Sequence, residues 1–318
     1  MSRTNPRFRT ADEQRTTPLG ADSSSADSLA LQATGRSEGA FGSARASKRF
    51  AQIVLYTLLI LGAIVALFPM LWMISASFMP TGEASQYPPH LLPSRITFSH
   101  YAELFTRLNL GRYLLNSTLI AVVVTAVSLV VNSMAGYAFA KLRFRGRDRT
   151  FRMLSLGLVL PVQVAMLPLF LLMKNLHLIN TYWGVIIPGM ASIFGIFLIR
   201  QYALSIPDDM LDAARIDGAS ELRIYWSVVV PGILPILATL AIWTFLATWN
   251  DFMWPLIVLS DEAHYTLPVA LANLSGEHVQ DTELMMAGSV LTVIPVLAVF
   301  LFLQRYYIQG VMAGSVKG

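Results

Sequence analysis

Six stretches of this 318-residue chain carry no Lys, Arg, Asp or Glu: Arg49 to Glu83, Arg112 to Lys141, Arg152 to Lys174, Lys174 to Arg200, Arg223 to Asp251, and Glu283 to Arg305. A bilayer core demands such runs, because each charge at its centre costs about 3 kcal/mol on insertion scales. Each stretch has room for the roughly 20 residues a helix needs to cross about 30 Å of hydrocarbon at about 1.5 Å per residue. The pattern predicts an all-α membrane protein with about six transmembrane helices. Composition agrees: 55% of residues are hydrophobic and 13% charged, about half the charge of a soluble domain.

The basic residues alternate between the connections. Eight of the 23 precede the first span, six lie from Lys141 to Arg152, three (Arg200, Arg215, Arg223) lie between spans four and five, and Arg305 and Lys317 follow span six. The intervening connections hold only Arg95, Arg107, Arg112 and Lys174. By the positive-inside rule both termini and the connections 141–152 and 200–227 face the cytoplasm. An even number of spans satisfies that. The net charge of +4 is therefore a topological signal and not the one-faced basic patch of a nucleic-acid binder.

There is no cysteine, which leaves no disulfide or thiolate metal site. The five histidines have no metal-ligand spacing, and no Gly-x(4)-Gly-Lys-Ser/Thr phosphate loop occurs. No catalytic constellation is present, so the chain is not expected to be an enzyme, and no cofactor is expected in it. Residues 1–48 are rich in Ser, Ala, Gly, Arg and Thr, a composition that cannot offset its ordering entropy, and are expected to be a disordered tail. The apolar run from Ala51 to Phe78 is far longer than a signal-peptide h-region and reads as an uncleaved anchor, kinked at Pro69. Spans two to four fall at about 113–140, 153–174 and 180–201, and prolines at 161, 168, 188, 231, 235 and 295 recur in or beside the later spans. Asn116, Asn132, Gln163, Asn175 and Asn180 are expected to make interhelical hydrogen bonds rather than to touch a substrate.

The connection from 201 to 227 is different in kind. Ser205 is suited to cap a helix whose first turn holds Pro207, Asp208 and Asp209, and Gly218 suits its left-handed stop. The expectation is a short helix within about 205–219, of about three turns. Ala213 and Ala214 would give it a small-residue surface that another protein can approach closely.

Asp212-Ala213-Ala214, then Gly218, then Val228-x-Val230-Pro231 resembles the signature Glu-Ala-Ala-x(3)-Gly-x(9)-Ile-x-Leu-Pro, the EAA motif, with Asp for Glu and Val for Ile and Leu. That motif marks permease subunits of binding-protein-dependent ABC importers. The stretches 180–202, 238–259, 265–271 and the closing 304–318 resemble the maltose-type carbohydrate permeases, on the MalG-like side of the pair, over roughly residues 50–318. The resemblance implies a type I ABC importer permease fold, with residues 49–318 as the transmembrane domain. It also implies uptake of a sugar or oligosaccharide across the bacterial inner membrane. The implied partners are a second homologous permease, two cytoplasmic ATPase subunits that use ATP and Mg, and an extracytoplasmic solute-binding protein. On that resemblance the 205–219 helix is a coupling helix seated in the ATPase. Asp212 supplies a charge partner, Ala213 and Ala214 the close approach, Gly218 the turn, and Pro231 the end of the motif. The closing residues 314–318 resemble tails that reach toward the ATPase.

Trp249, Asn250 and Asp251 stand about 22 residues, or about 33 Å, beyond the start of span five, near the outer surface. Trp249 and Trp254 are either an ordinary aromatic belt or, with Asn250 and Asp251, line the outer mouth of a translocation path, where polar groups at membrane depth face a cavity. The rival substrate class is glycerol phosphate, which would favour a basic cavity, and the spans contain no Lys or Arg. An ion-coupled secondary transporter would require intramembrane acidic residues, and the charge-free runs hold none.

Overall fold

The computed structural model describes the backbone of residues 23–277 and 281–315, with side-chain surroundings at 49–274, 281–302 and 304. All regular structure among them is helical. The chain divides into two compact units, residues 1–68 and 69–318.

The described part of the first unit is helical and belongs to α1 (Ser23–Ala76). Its apolar part, Arg49 onward, is 28 residues long, and residues 49–69 of it are exposed on every face. A helix apolar on every face needs hydrocarbon or another apolar surface about it. The helix begins at Ser23, inside the segment whose composition predicts no order; extending a formed helix backwards adds one hydrogen bond per residue without a new nucleus. Residues 1–22 of that segment lie outside the described residues.

In the second unit, α2 (Ser99–Thr106) precedes α3 (Leu110–Lys141), α4 (Arg147–Leu156), α5 (Val162–Asn175), α6 (Tyr182–Gly189), α7 (Ile193–Ala203) and α8 (Asp208–Ile216). After them come α9 (Glu221–Ile224), a π-helical turn Tyr225–Val229, α10 (Val230–Gly232), α11 (Leu234–Trp249), α12 (Met253–Val258), α13 (Leu267–Glu277) and α14 (Thr282–Ser315). The 32-residue α3 is the central post, packed against α6, α7, α11 and α13. Its approach to α7 is close enough to need a glycine: a Cβ on Gly136 would lie 2.6 Å from Cγ2 of Ile199.

Four segments are long and apolar enough to cross a membrane: Arg49–Ala76, Leu110–Lys141, Tyr182–Ala203 and Thr282–Phe302. Two bent helix pairs pass the same test together, Arg147–Val159 with Val162–Asn175 at 108°, and Glu221–Gly232 with Leu234–Trp249 at 81°. Six crossings result if each pair crosses once, and the third and fifth are then broken beside prolines that the sequence reading places in or next to them. Pro161 breaks the first pair by having no N–H for the helix ladder, and Leu160 before it is extended (φ −80°, ψ 126°). Pro231 and Pro235 flank the second break at Ile233. The π-helical turn just before Pro231 widens the helix ahead of the bend.

Buried polar side chains tie these elements together. Asn132, fully buried, donates to Ser128 Oγ at 2.6 Å and accepts the Ser192 N–H at 3.0 Å. Asn116 donates to the carbonyls of Ala263 (3.1 Å) and Tyr265 (2.9 Å) and accepts the Tyr182 hydroxyl at 2.8 Å. Asn180 accepts the N–H groups of Ser260 and Asp261, both at 3.0 Å. Asn116 and Asn132 thus join helices, Asn180 joins two loops rather than helices, and Gln163 lines a cavity.

Candidate functional site

The sequence places its sharpest motif on α8, and the local structure explains why a helix stands there. Pro207 is the extended N-cap residue, and Asp208 and Asp209 occupy the first turn, where the helix dipole favours negative charge. Ser205 is not the cap. Its hydroxyl donates back to the Tyr202 carbonyl at 2.7 Å, closing the end of α7, so α8 starts three residues later and spans nine residues. At the other end Gly218 has φ +80°. Its N–H reaches the Arg215 carbonyl and that of Ala219 reaches Ala214, both at 3.0 Å, the paired bonds of a Schellman stop.

The helix has two faces. Leu211 is buried in a cluster with Tyr137, Ala140, Ile199, Ala203 and Ile224, and Ala214 packs against the same cluster. Asp209, Ala213 and Ile216 are exposed, Ile216 to 87%. The two alanines therefore separate: only Ala213 presents a small outward surface, and Ala214 faces the bundle. Asp212 is paired within the chain, its carboxylate accepting from Arg215 at 2.7 Å. Pro231 is not part of this helix; it is exposed at the bend leading into α11.

Beside α8 lies a groove of about 970 Å³ with basic residues Lys141, Arg143, Arg147 and Arg215 and acidic residues Asp208, Asp212 and Glu221 on its walls. Lys141 binds Asp208 at 2.7 Å, and its ammonium holds the Asp208 carboxyl below the usual range. Arg215 also donates to Glu221 at 2.8 Å. Its bonds to Glu221 and Asp212 push its pKa upward. Nothing in the motif pointed to Glu221 or Tyr137. Lys141 entered the sequence reading only as a topological charge, although its spacing of four from Tyr137 sets both on one face of α3.

A second candidate region is a cavity of about 540 Å³ between α5, α6 and the turn from α11 to α12. Gln163, Thr248, Asn250 and Asp251 supply its polar lining, with Val124, Met166, Val185, Phe252 and Trp254 among the apolar wall. Among the described residues no Lys or Arg lines it. Asn250 and Asp251 thus stand on a cavity wall, whereas Trp249 does not. Trp249 is 1% exposed, stacks on Phe245 at 5.8 Å and donates its indole N–H to the Thr292 carbonyl at 3.2 Å. Neither the membrane belt nor the mouth describes it: its face of α11 meets α14. Trp254 is also buried, and its indole N–H donates to the Gly184 carbonyl at 3.1 Å.

Comparison with known proteins agrees with the fold. The family model described as binding-protein-dependent transport system inner membrane component matches residues 132–312. The arabinooligosaccharides transport system permease protein AraQ of Halalkalibacterium halodurans is 40% identical over 278 residues, covering 85% of this chain and all of that protein. The lactose transport system permease protein LacG of Rhizobium radiobacter is 34% identical, covering 85% of this chain and 98% of the other. A chain of a bacterial ABC transporter involved in import of the acidic polysaccharide alginate superposes with a TM-score of 0.73 at 29% identity, covering 82% of this chain and 98% of that one. The fold is that of an ABC importer permease. The chain belongs to the family of binding-protein-dependent transport system inner membrane components, as a multi-pass permease subunit that is not itself an enzyme.

Proposed function

We propose that this subunit carries a sugar or oligosaccharide inward across the membrane, driven by ATP that two separate ATPase subunits hydrolyse with Mg. A second homologous permease completes the pathway, and a solute-binding protein delivers the sugar from outside. Both termini and the end of the bundle that carries α8 face the cytoplasm, in keeping with the distribution of basic residues.

The observation that carries this reading is the form of α8. A nine-residue helix stands at the basic end of the bundle, anchored by Leu211 and offering Ala213 and an 87% exposed Ile216 outward. Met210, 54% exposed, and Ile216 stand three residues either side of Ala213, so one face of the helix shows a contiguous apolar strip that fits a protein partner covering it. The small Ala213 lets that partner's backbone come close. The substrate class follows from the cavity, where amide and carboxylate groups beside apolar walls suit hydroxyls, while Asp251 without a Lys or Arg repels a phosphate. That charge favours a sugar over glycerol phosphate, and AraQ and LacG are named for sugars.

The test is Ala213→Trp in the complete importer, reconstituted with its ATPase and binding protein and supplied with labelled arabinotriose, lactose and glycerol 3-phosphate. The parent is expected to take up one of the sugars with ATP and to leave glycerol 3-phosphate outside. Ala213→Trp should reach the membrane in normal amount, lose the co-purifying ATPase and lose uptake. Undiminished ATP-dependent uptake by this variant would sink the assignment of α8.

A further inference from the structure

Along the chain α8 leads through α9 and α10 into α11. The side-chain hydrogen bonds around α8 run to α3 instead. Tyr137 and Lys141 sit one turn apart at the end of α3, on one face, and between them they hold both ends of α8. Lys141 has only 7% of its side chain exposed. Its ammonium reaches the Ile206 carbonyl at 2.6 Å, the Asp208 carboxylate at 2.7 Å and the Leu204 carbonyl at 3.4 Å. Three donors are all an ammonium has, so Lys141 is fully committed to the entry of α8.

The exit is held through a relay. The Tyr137 hydroxyl donates to Glu221 Oε2 at 2.8 Å, Arg215 Nε donates to Glu221 Oε1 at 2.8 Å, and Arg215 Nη1 donates to Asp212 at 2.7 Å. Arg215 lies in the last turn of α8, and Glu221 opens α9. The grip continues inward, where the Tyr225 and Ser133 hydroxyls, on the π-helical turn and on α3, meet at 2.6 Å.

On this geometry we infer that Tyr137 and Lys141 are positioning residues that clamp α8 to α3, so that a displacement of α8 enters the membrane through α3 rather than only along the chain into α11. The inference rests on the reading of α8 as the helix that docks the ATPase. Its physical basis is mechanical. Between α8 and α11 the chain passes a π-helical turn and an 81° bend, a compliant path, whereas α3 is one unbroken helix of 32 residues whose far part forms a wall of the cavity at Val124. A charge-assisted hydrogen bond at each end of α8 transmits both push and pull.

The chain has no cysteine, so a single Val162→Cys, on the apolar part of the cavity wall, gives this subunit one labelling site that is read on its own gel band. The parent for the test is the assembled importer carrying Val162→Cys, and the readout is the rate of labelling of this subunit by a membrane-impermeant maleimide, with and without ATP and vanadate. The clamp variants are Tyr137→Phe, Lys141→Met, their combination, and Lys141→Arg as the conservative replacement. The combination is expected to keep its co-purifying ATPase and its ATP hydrolysis while the ATP-driven change in labelling falls at least tenfold. Lys141→Arg, which keeps a cation beside Asp208, should retain most of that change, whereas a merely structural loss would lower ATPase co-purification and hydrolysis together with the labelling response. A combination that responds to ATP as the parent does, within a factor of two, overturns the clamp. Should the combination fail to assemble, Tyr137→Phe decides alone. It leaves Glu221 paired with Arg215, and an unaltered response in it removes Tyr137 from the mechanism. Failure of the docking reading has a different signature: the parent itself would show neither bound ATPase nor any response to ATP, and both ideas would fall together.

Discussion

Gly136→Ala tests whether the approach of α3 to α7 is as close as the structure has it. An added Cβ would lie 2.6 Å from Cγ2 of Ile199, 2.7 Å from its Cβ and 3.0 Å from the backbone nitrogen of Arg200. Carbon pairs prefer about 3.5–4.0 Å, so the overlap is close to 1 Å at two atoms. A rotamer change at Ile199 moves only Cγ2, and the residue is fully buried, so the helices themselves must part. Overpacking of this kind costs about 1–3 kcal/mol, and contact with backbone-fixed atoms sets it near ~3. Alanine regains ~1 kcal/mol of helix propensity over glycine, which leaves a net loss of ~2 kcal/mol. At ~2–4 °C per kcal/mol for a domain of ~150–250 residues, Tm falls by ~4–8 °C. The assay is thermal unfolding of the purified protein in detergent, followed by tryptophan fluorescence. Gly62→Ala, where nothing lies within 4 Å of the new atom, is the control and should hold or gain. A Gly136→Ala protein as stable as its parent would refute the close approach and the placing of Tyr137 and Lys141 that follows from it.

Three further outcomes are expected. Ala214→Trp, unlike the outward Ala213→Trp, forces a large ring into the cluster around Leu211 and Ile224 and should lower yield and Tm; equal Tm for the two variants would contradict the two-faced helix. Asn132→Leu removes the acceptor for the Ser192 N–H and the donor to Ser128, at a cost of ~1–3 kcal/mol for the groups left unpaired. Asn132→Asp keeps the acceptor and should bind Ser192 still, a difference that Tm measurements of the two will resolve. The Asp208 carboxyl titrates below its usual value because of Lys141, so its contribution is present above about pH 4 and is lost as pH falls through the depressed value. Asp208→Asn should therefore differ from the parent by the same small amount at pH 5 and pH 7, with the difference closing below about pH 4; closure between pH 7 and 5 would show that another group is responsible.

The charge-free runs and the alternating basic connections made a helical, multi-pass protein legible in the sequence, because a bilayer imposes those demands on composition rather than on contacts. The stop at Gly218 was equally legible, since a left-handed residue after a helix is a local requirement that glycine meets, and the structure has it at φ +80°. Its start was not: Ser205 has a capping side chain, but Pro207 three-dimensionally follows a turn that uses the Ser205 hydroxyl on Tyr202. The straightness of the third and fifth crossings was also out of reach, for a proline inside an apolar run is compatible with a mild kink or with the 108° and 81° bends that packing selects here.

Side-chain direction was decided by tertiary structure alone. Trp249, Asn250 and Asp251 are consecutive, yet the first turns into the contact with α14 and the other two onto a cavity wall. The same holds for Ala213 and Ala214, adjacent in the motif and opposite in exposure. What the sequence determined by itself is whatever depends on a residue and its chain neighbours: apolar length, charge sidedness, a helix stop. The union of Tyr137, Lys141, Glu221 and Arg215 depends on the pairing of α3 with segments more than sixty residues away, and only the packing of the bundle brings those groups within hydrogen-bond reach.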